Sequence, residues 1–143
     1  MIEVRLAKPR DALALSRMTR EFTGVRVASK AVAAALRRSA EVVAVTAVGD
    51  EPAGFACAQV NDSICYLRPW AELSELYVKP GFRRKGVGRK LVAFVERELR
   101  RRSVAHIHIL TGVRNRGARA LYERFGYRTN RGRPEVLYEK DVT

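Results

Sequence analysis

The residues with the most chemistry to offer are Arg83-Arg84-Lys85-Gly86-Val87-Gly88-Arg89-Lys90. Two glycines let a backbone fold tightly against a ligand. The amphipathic run Leu91 to Leu99 that follows reads as a helix. Its N-terminus would aim free N–H groups and a positive dipole end into the same space. Cations oppose that dipole end. Arg83, Arg84, Lys85, Arg89 and Lys90 therefore make sense together only around a bound anion, and a phosphate fits. A P-loop is excluded, because no Gly-Lys pair is followed by Ser or Thr. The dinucleotide pattern GxGxxG is excluded as well, because Gly86 and Gly88 lack the third glycine.

Three further residues could move protons. Glu72 and Glu75 flank the strand that leads into the basic loop, and either carboxylate is a candidate general base. Simple strand alternation puts Glu72 on the face of Leu76 and Val78, and Glu75 on the opposite face. Tyr122 carries a phenol that could donate a proton, although its cluster with Leu121 and Phe125 reads by itself as core packing. It follows Asn115 by seven residues and lies on about the same helical face. His106 and His108 alternate on one strand face; two ligands are too few for a metal site, so no metal is expected and a surface role is read.

The elements that must position these groups follow from periodicity and punctuation. Residues 2–6 read as a strand. Pro9 and Asp11 open a helix, with Asp11 as cap, and Ser29 caps a second helix through Leu36. Strands are expected at Glu41 to Val48 and Ala53 to Val60, joined by the turn Gly49-Asp50-Glu51-Pro52. A loop from Asn61 to Pro69 leads to a strand at Ala71 to Val78, ended by Lys79-Pro80-Gly81. A helix at Gly86 to Arg102, a strand at His106 to Leu110 and a helix at Arg116 to Phe125, stopped by Gly126, come next. Tyr127 and Val136 to Val142 read as closing strands around the turn-rich Asn130 to Pro134. The order β-α-α-β-β-β-α-β-α-β-β predicts a mixed sheet covered by helices.

At 143 residues the chain is read as a single domain, long enough to hold a core without disulfides or metal. Cys57 and Cys65 form neither a disulfide framework nor a zinc spacing, and no run approaches a membrane span. A cytoplasmic protein with no membrane partner is expected. The net charge of +13 implies an anionic partner or an arginine-favouring genome. The cations are scattered through every segment and no nucleic-acid motif is present, so nucleic acid is not the expected partner.

Arg83 to Gly88 matches the Q/R-x-x-G-x-G/A motif of the GCN5-related N-acetyltransferase (GNAT) family, which this chain resembles. The preceding strand Glu72 to Pro80 resembles that family's acetyl-CoA strand. Asn115 to Tyr127 resembles its next motif, N-x-x-A-x-x-L-Y-x-x-x-G-F/Y, 27 residues beyond Gly88. The resemblance implies an α/β (α+β type) fold with a mixed, mostly antiparallel central sheet of about seven strands flanked by helices. It implies acetyl-CoA as acetyl donor and no metal. Pantetheine would lie along Leu76, Tyr77 and Val78, with the Leu76 main-chain N–H polarising the thioester. The pyrophosphate would rest on main-chain N–H groups from Arg84 through Lys85, Gly86, Val87 and Gly88 to Arg89. Arg84, Lys90, Arg116 or Arg119 would hold the 3′-phosphate. Asn115 would bond pantetheine or the helix start, and the motif places Ala118 beside the cofactor. Tyr122 would protonate the leaving thiolate. Glu72 aligns best with the family's glutamate base, with Glu75 or a water chain as alternatives. The run Ile107 to Leu110 lacks the acidic residue of ribosomal-protein acetylating relatives.

Acceptor sites in this architecture come from the early helices and the loop before the cofactor strand. Asp62, Tyr66, Trp70 and Glu72 would make an acidic, partly aromatic pocket suited to a cationic amine. Arg26 and Arg68 would instead suit a carboxylate. The resemblance implies acetyl transfer to a primary amine of a small molecule, aminoglycoside-like or polyamine-like, by direct attack in a ternary complex. A protein or peptide amine, a CoA-binding domain without catalysis and a basic nucleic-acid-binding module are the alternatives. Members of the family are often homodimers.

Overall fold

A computed structural model describes residues 1–129 and 136–142. It divides into two compact units, residues 1–110 and residues 111–143.

The first unit is built on β1 (Ile2–Leu6), β2 (Val42–Val48), β3 (Glu51–Asn61), β4 (Trp70–Val78) and β5 (His106–Ile109), which lie side by side in chain order. Each pair is antiparallel except β4 and β5, which run parallel. Antiparallel neighbours need only short turns, whereas the parallel pair needs a crossover. Helix α3 (Val87–Arg101) supplies it. Helices α1 (Ala12–Thr23) and α2 (Ser29–Arg38) come between β1 and β2.

The two faces of the sheet are covered differently. Val42, Ala44, Ala56, Ala58, Ala71 and Leu73 share one face by register and are buried. Their small side chains let α3 come close, and Val87, Leu91, Val92, Val95 and Leu99 are all buried along its inner stripe. The other face carries Val45, Phe55, Cys57 and Tyr77, packed with Leu15 and Met18 of α1. Helix α2 adds only half-buried Val32 and Leu36 and buries no residue fully. Strands β3 and β4 approach so closely that a Cβ at Gly54 would sit 2.4 Å from the Tyr77 carbonyl oxygen, so only glycine fits.

Two expected caps are placed differently. Asp11 does not cap α1 with its side chain. Its carboxylate accepts from the Lys8 N–H at 2.7 Å and from the Arg5 guanidinium at 2.7 and 2.8 Å, closing the 3₁₀ turn Pro9–Asp11 instead. Ser29 is the first residue of α2, Ala28 is its N-cap, and no side chain bonds that end.

The second unit contains α4 (Arg116–Arg124). The expectation of about seven strands is corrected here: five strands are present among the described residues. Neither Tyr127 nor Val136 to Val142 lies in a strand. The Tyr127 N–H turns back to the Tyr122 carbonyl at 3.1 Å, closing the helix end rather than joining a ladder. Val136, Leu137, Tyr138 and Val142 stand exposed and pair with no strand among the described residues. The turn expected at Asn130 to Pro134 lies outside the described residues.

Candidate functional site

Strand β4 does not alternate evenly. Its register to β3 runs Leu73↔Ala58 and then Glu75↔Cys57, so Ser74 is an extra residue opposite that junction. A bulge of this kind shifts every following side chain by one position. Leu73, Leu76 and Val78 consequently all lie on the α3 face, opposite Ala58, Ala56 and Gly54. Glu72 and Glu75 both lie on the other face, opposite Gln59 and Cys57. The sequence expectation that Glu72 shares the face of Leu76 and Val78 is therefore corrected, because alternation cannot anticipate an unpaired residue. The Ser74 hydroxyl binds the Glu75 carboxylate and also reaches the Cys57 carbonyl at 3.3 Å, which holds Glu75 in place.

The same strand has an open edge. β5 pairs with Trp70 through Leu73 and then ends at Ile109. No strand among the described residues pairs with Ser74 to Val78 on that side. The Lys79 N–H points to β3, donating to Ala53 at 2.9 Å. By alternation the N–H and C=O groups of Leu76 and Val78 point the other way, to the open edge. The Val78 carbonyl is met there by Arg83 Nε at 3.0 Å. The side chain of Tyr77 takes no part in this edge. It is buried, stacks on Phe22 with centroids 5.4 Å apart, and donates to Glu21 at 2.8 Å. Burial, then the Glu21 bond, raises its phenol above the ordinary range.

The open edge leads into the basic loop. Gly86 is the N-cap of α3 and takes φ +84°, which a side chain rarely adopts. Arg84 is also left-handed at φ 60°, a costly conformation for an arginine. No side chain caps the helix, and no acidic residue occupies its first turn. Arg84, Lys85, Arg89 and Lys90 are exposed around that end. The first helical bond is Lys90 N–H to Gly86 C=O at 3.1 Å, which leaves the N–H groups of Val87, Gly88 and Arg89 ahead of it outside the helical ladder. The Lys85 ammonium sits over the Phe82 ring at 5.8 Å, and Lys90 Nζ reaches the Ile2 carbonyl at 3.5 Å.

In the second unit, Asn115 caps α4. Its side chain accepts from the Ala118 N–H at 3.2 Å, so the helix-start role is the one realised locally. Arg119 folds back to the Val113 carbonyl at 2.9 Å. Tyr122 is half-buried, with the Tyr127 ring edge-on at 6.1 Å. Burial raises its phenol above the ordinary value, which keeps the proton available.

The residues expected to bind an acceptor are divided. Trp70 and Glu72 share a face, and the Trp70 ring lies 4.8 Å from that of His108, which stands opposite Glu72 in register. Asp62 and Tyr66 stay on an exposed loop, outside that strand face.

The pattern of the Acetyltransferase (GNAT) family matches residues 12–127. The chain belongs to the GNAT family. An uncharacterized N-acetyltransferase of Methanocaldococcus jannaschii is 30% identical over 93 residues, 64% of this chain and 41% of that protein. The chain thus spans about two fifths of the length of this curated relative. A crystal structure described as a probable acetyltransferase is 21% identical with a TM-score of 0.83, covering 99% of each chain. An aminoglycoside acetyltransferase from an uncultured soil metagenomic sample, solved with sisomicin, is 14% identical with a TM-score of 0.81, covering 98% of this chain and 97% of its own. At these identities the two structures establish the shared GNAT fold.

This GNAT chain also places together residues that sequence reading does not single out as a site. Glu41, Cys57 and Glu75 bring a carboxylate oxygen, a sulfur and a second carboxylate oxygen within 4.8 Å of one another. Burial, and then Glu41 and Glu75, push the Cys57 thiol well above its ordinary range, so it stays protonated and bonds Glu41. Glu41 immediately precedes β2, Cys57 lies on β3 and Glu75 on β4, so no local spacing could have joined them. No helix among the described residues is long and apolar enough to cross a membrane.

Proposed function

We propose that this chain is a single N-acetyltransferase domain, working in the cytoplasm, that passes an acetyl group from acetyl-CoA to a primary amine of a small molecule. The observation that carries this reading is the open edge of β4. Past Leu73 it offers outward N–H groups at Leu76 and Val78, and it runs into an uncapped, cation-rich helix N-terminus. A ligand with amides at one end and phosphates at the other fits that sequence of donors. When bound, acetyl-CoA supplies a thioester: the amine nitrogen bonds the acetyl carbon, the carbon–sulfur bond breaks, and an amide and a free thiol leave.

The chain's own residues have separate tasks in this reading. The Leu76 N–H stabilises developing negative charge on the carbonyl oxygen. Main-chain N–H groups from Arg84 to Arg89 hold phosphate, and the exposed loop cations add charge-assisted bonds. Arg83, already tied to the Val78 carbonyl, steadies the loop. Glu75 takes the proton from the amine, with Glu72 on the same face as the second candidate. Tyr122 supplies a proton to the departing thiolate, burial keeping its phenol in the protonated form.

Titration with CoA followed by thiol release from acetyl-CoA with a panel of amines tests the reading. Micromolar CoA binding and amine-dependent thiol release are expected; absence of CoA binding would sink it. Tyr122→Phe should lower turnover by about tenfold or more while CoA affinity holds. Unchanged turnover in that variant removes the acid role from Tyr122.

A further inference from the structure

The face of the sheet that carries Glu72 and Glu75 also holds a cavity of about 320 Å³. Its walls are Leu15 of α1, Val32, Ala35 and Leu36 of α2, and Phe55 of β3. Its polar end is formed by Cys57 and Glu41. Glu75 stands within 4.8 Å of the polar atoms of both, next in the chain to Leu76. The cavity thus has a mainly apolar body, with Thr19 and Ser39 also on its lining, and a carboxylate end beside Glu75.

We infer that the acceptor is a compact apolar primary amine, whose hydrocarbon part fills this cavity and whose nitrogen is held between Glu41 and Glu75. The inference rests on the acetyl-transfer reading above and specifies its substrate.

Size and polarity both point this way. About 320 Å³ lies at the small end of ligand pockets and holds a group on the scale of a phenyl ring with a short arm. A polyhydroxylated polycation would leave hydroxyls and ammoniums unpaired against Leu15, Val32, Leu36 and Phe55, at a cost of roughly 1–3 kcal/mol for each group. A cation is favoured at the far end, where two carboxylates meet a thiol that stays neutral. The one cation among the lining residues, Arg102, is engaged by the backbone, donating to the Ala40 carbonyl at 2.7 Å. The half-buried apolar face of α2 supports the same reading. Val32 and Leu36 are packed on the core cluster but not covered, as expected for a wall whose other side is a ligand.

The test uses the full chain with acetyl-CoA and three acceptors: 2-phenylethylamine, spermidine and sisomicin. Thiol release gives kcat/KM for each, and calorimetry gives binding of 2-phenylethylamine to the CoA complex. The expected result is a kcat/KM for 2-phenylethylamine at least tenfold above both polycations, on the scale of apolar-pocket discrimination. Ala35→Phe, which fills the cavity from α2, should raise KM for 2-phenylethylamine about tenfold and leave CoA affinity unchanged. Equal or better turnover of spermidine or sisomicin overturns the inference. So does failure of 2-phenylethylamine to bind, or an unchanged KM in Ala35→Phe. In each of those cases CoA binding still stands for the parent reading, whereas loss of CoA binding in the unaltered chain brings down both. The ranking of the three amines decides the matter even where Ala35→Phe does not fold.

Discussion

The two faces of the sheet use similar strand residues to different ends. On one face α3 sends five buried side chains onto alanines and valines, and little there is polar. On the other, α1 is anchored by Leu15 and Met18 but α2 buries nothing fully. A band of polar groups runs along that second face from Glu41 through Cys57 and Gln59 to Glu75, Glu72 and His108. Close packing favours a rigid core, and incomplete packing leaves room for a ligand. The tightly packed side and the polar, partly open side therefore lie on opposite faces of the same five strands.

The segregation can be broken from either side. Leu91→Ala, at a fully buried site on the α3 face, should cost about 2–5 kcal/mol in chemical denaturation. Thiol release per folded molecule should stay within about twofold, and a larger drop would mean that the faces are coupled. Glu75→Gln should do the reverse. It keeps an acceptor for Ser74, so stability should move by less than about 1 kcal/mol, while kcat/KM falls about a hundredfold. A smaller loss than that of Glu72→Gln would move the base to Glu72. Val32→Ala trims a cavity wall that is only partly buried. It should cost about 1 kcal/mol or less in stability and raise the KM of an apolar amine severalfold.

The smallest effect is expected at the Arg5–Asp11 pair, which fastens the turn before α1 to β1 on the second face. The Arg5 bond, opposed by burial and aided by the Lys8 N–H, holds Asp11 below its ordinary 3.8. Its contribution is thus present above 3.8 and lost as pH falls through the lowered value. Arg5 is 36% exposed, so solvent screening limits the pair to about 0.5–1 kcal/mol. Asp11→Asn should show that deficit in urea melts at neutral pH and converge with the unaltered chain in strong acid. A constant gap at all pH values would locate the effect in packing rather than charge.

Much of the fold is legible in the residues because its signals are local. The run Val42 to Val48, the turn at Gly49 and Asp50, and the 3.6-residue stripe from Val87 to Leu99 each require only near neighbours to be read. The C-terminal stretch misleads for the same reason. Val136, Leu137, Tyr138 and Val142 have strand-like composition, but a strand also needs a partner, which composition does not supply.

The candidate site divides along the same line. The local geometry of Arg83 to Gly88 and of Asn115 to Tyr122 is legible in the sequence alone, because a left-handed Gly86, an uncapped helix start and an Asn115 cap are set by residues within one turn. The tertiary structure alone decided which carboxylates share a face. An unpaired Ser74 turns Glu75 to the side of Glu72, and pairing across β2, β3 and β4 brings Glu41 and Cys57 to it. Register depends on how separate strands dock, and a one-residue slip reverses every side chain beyond it.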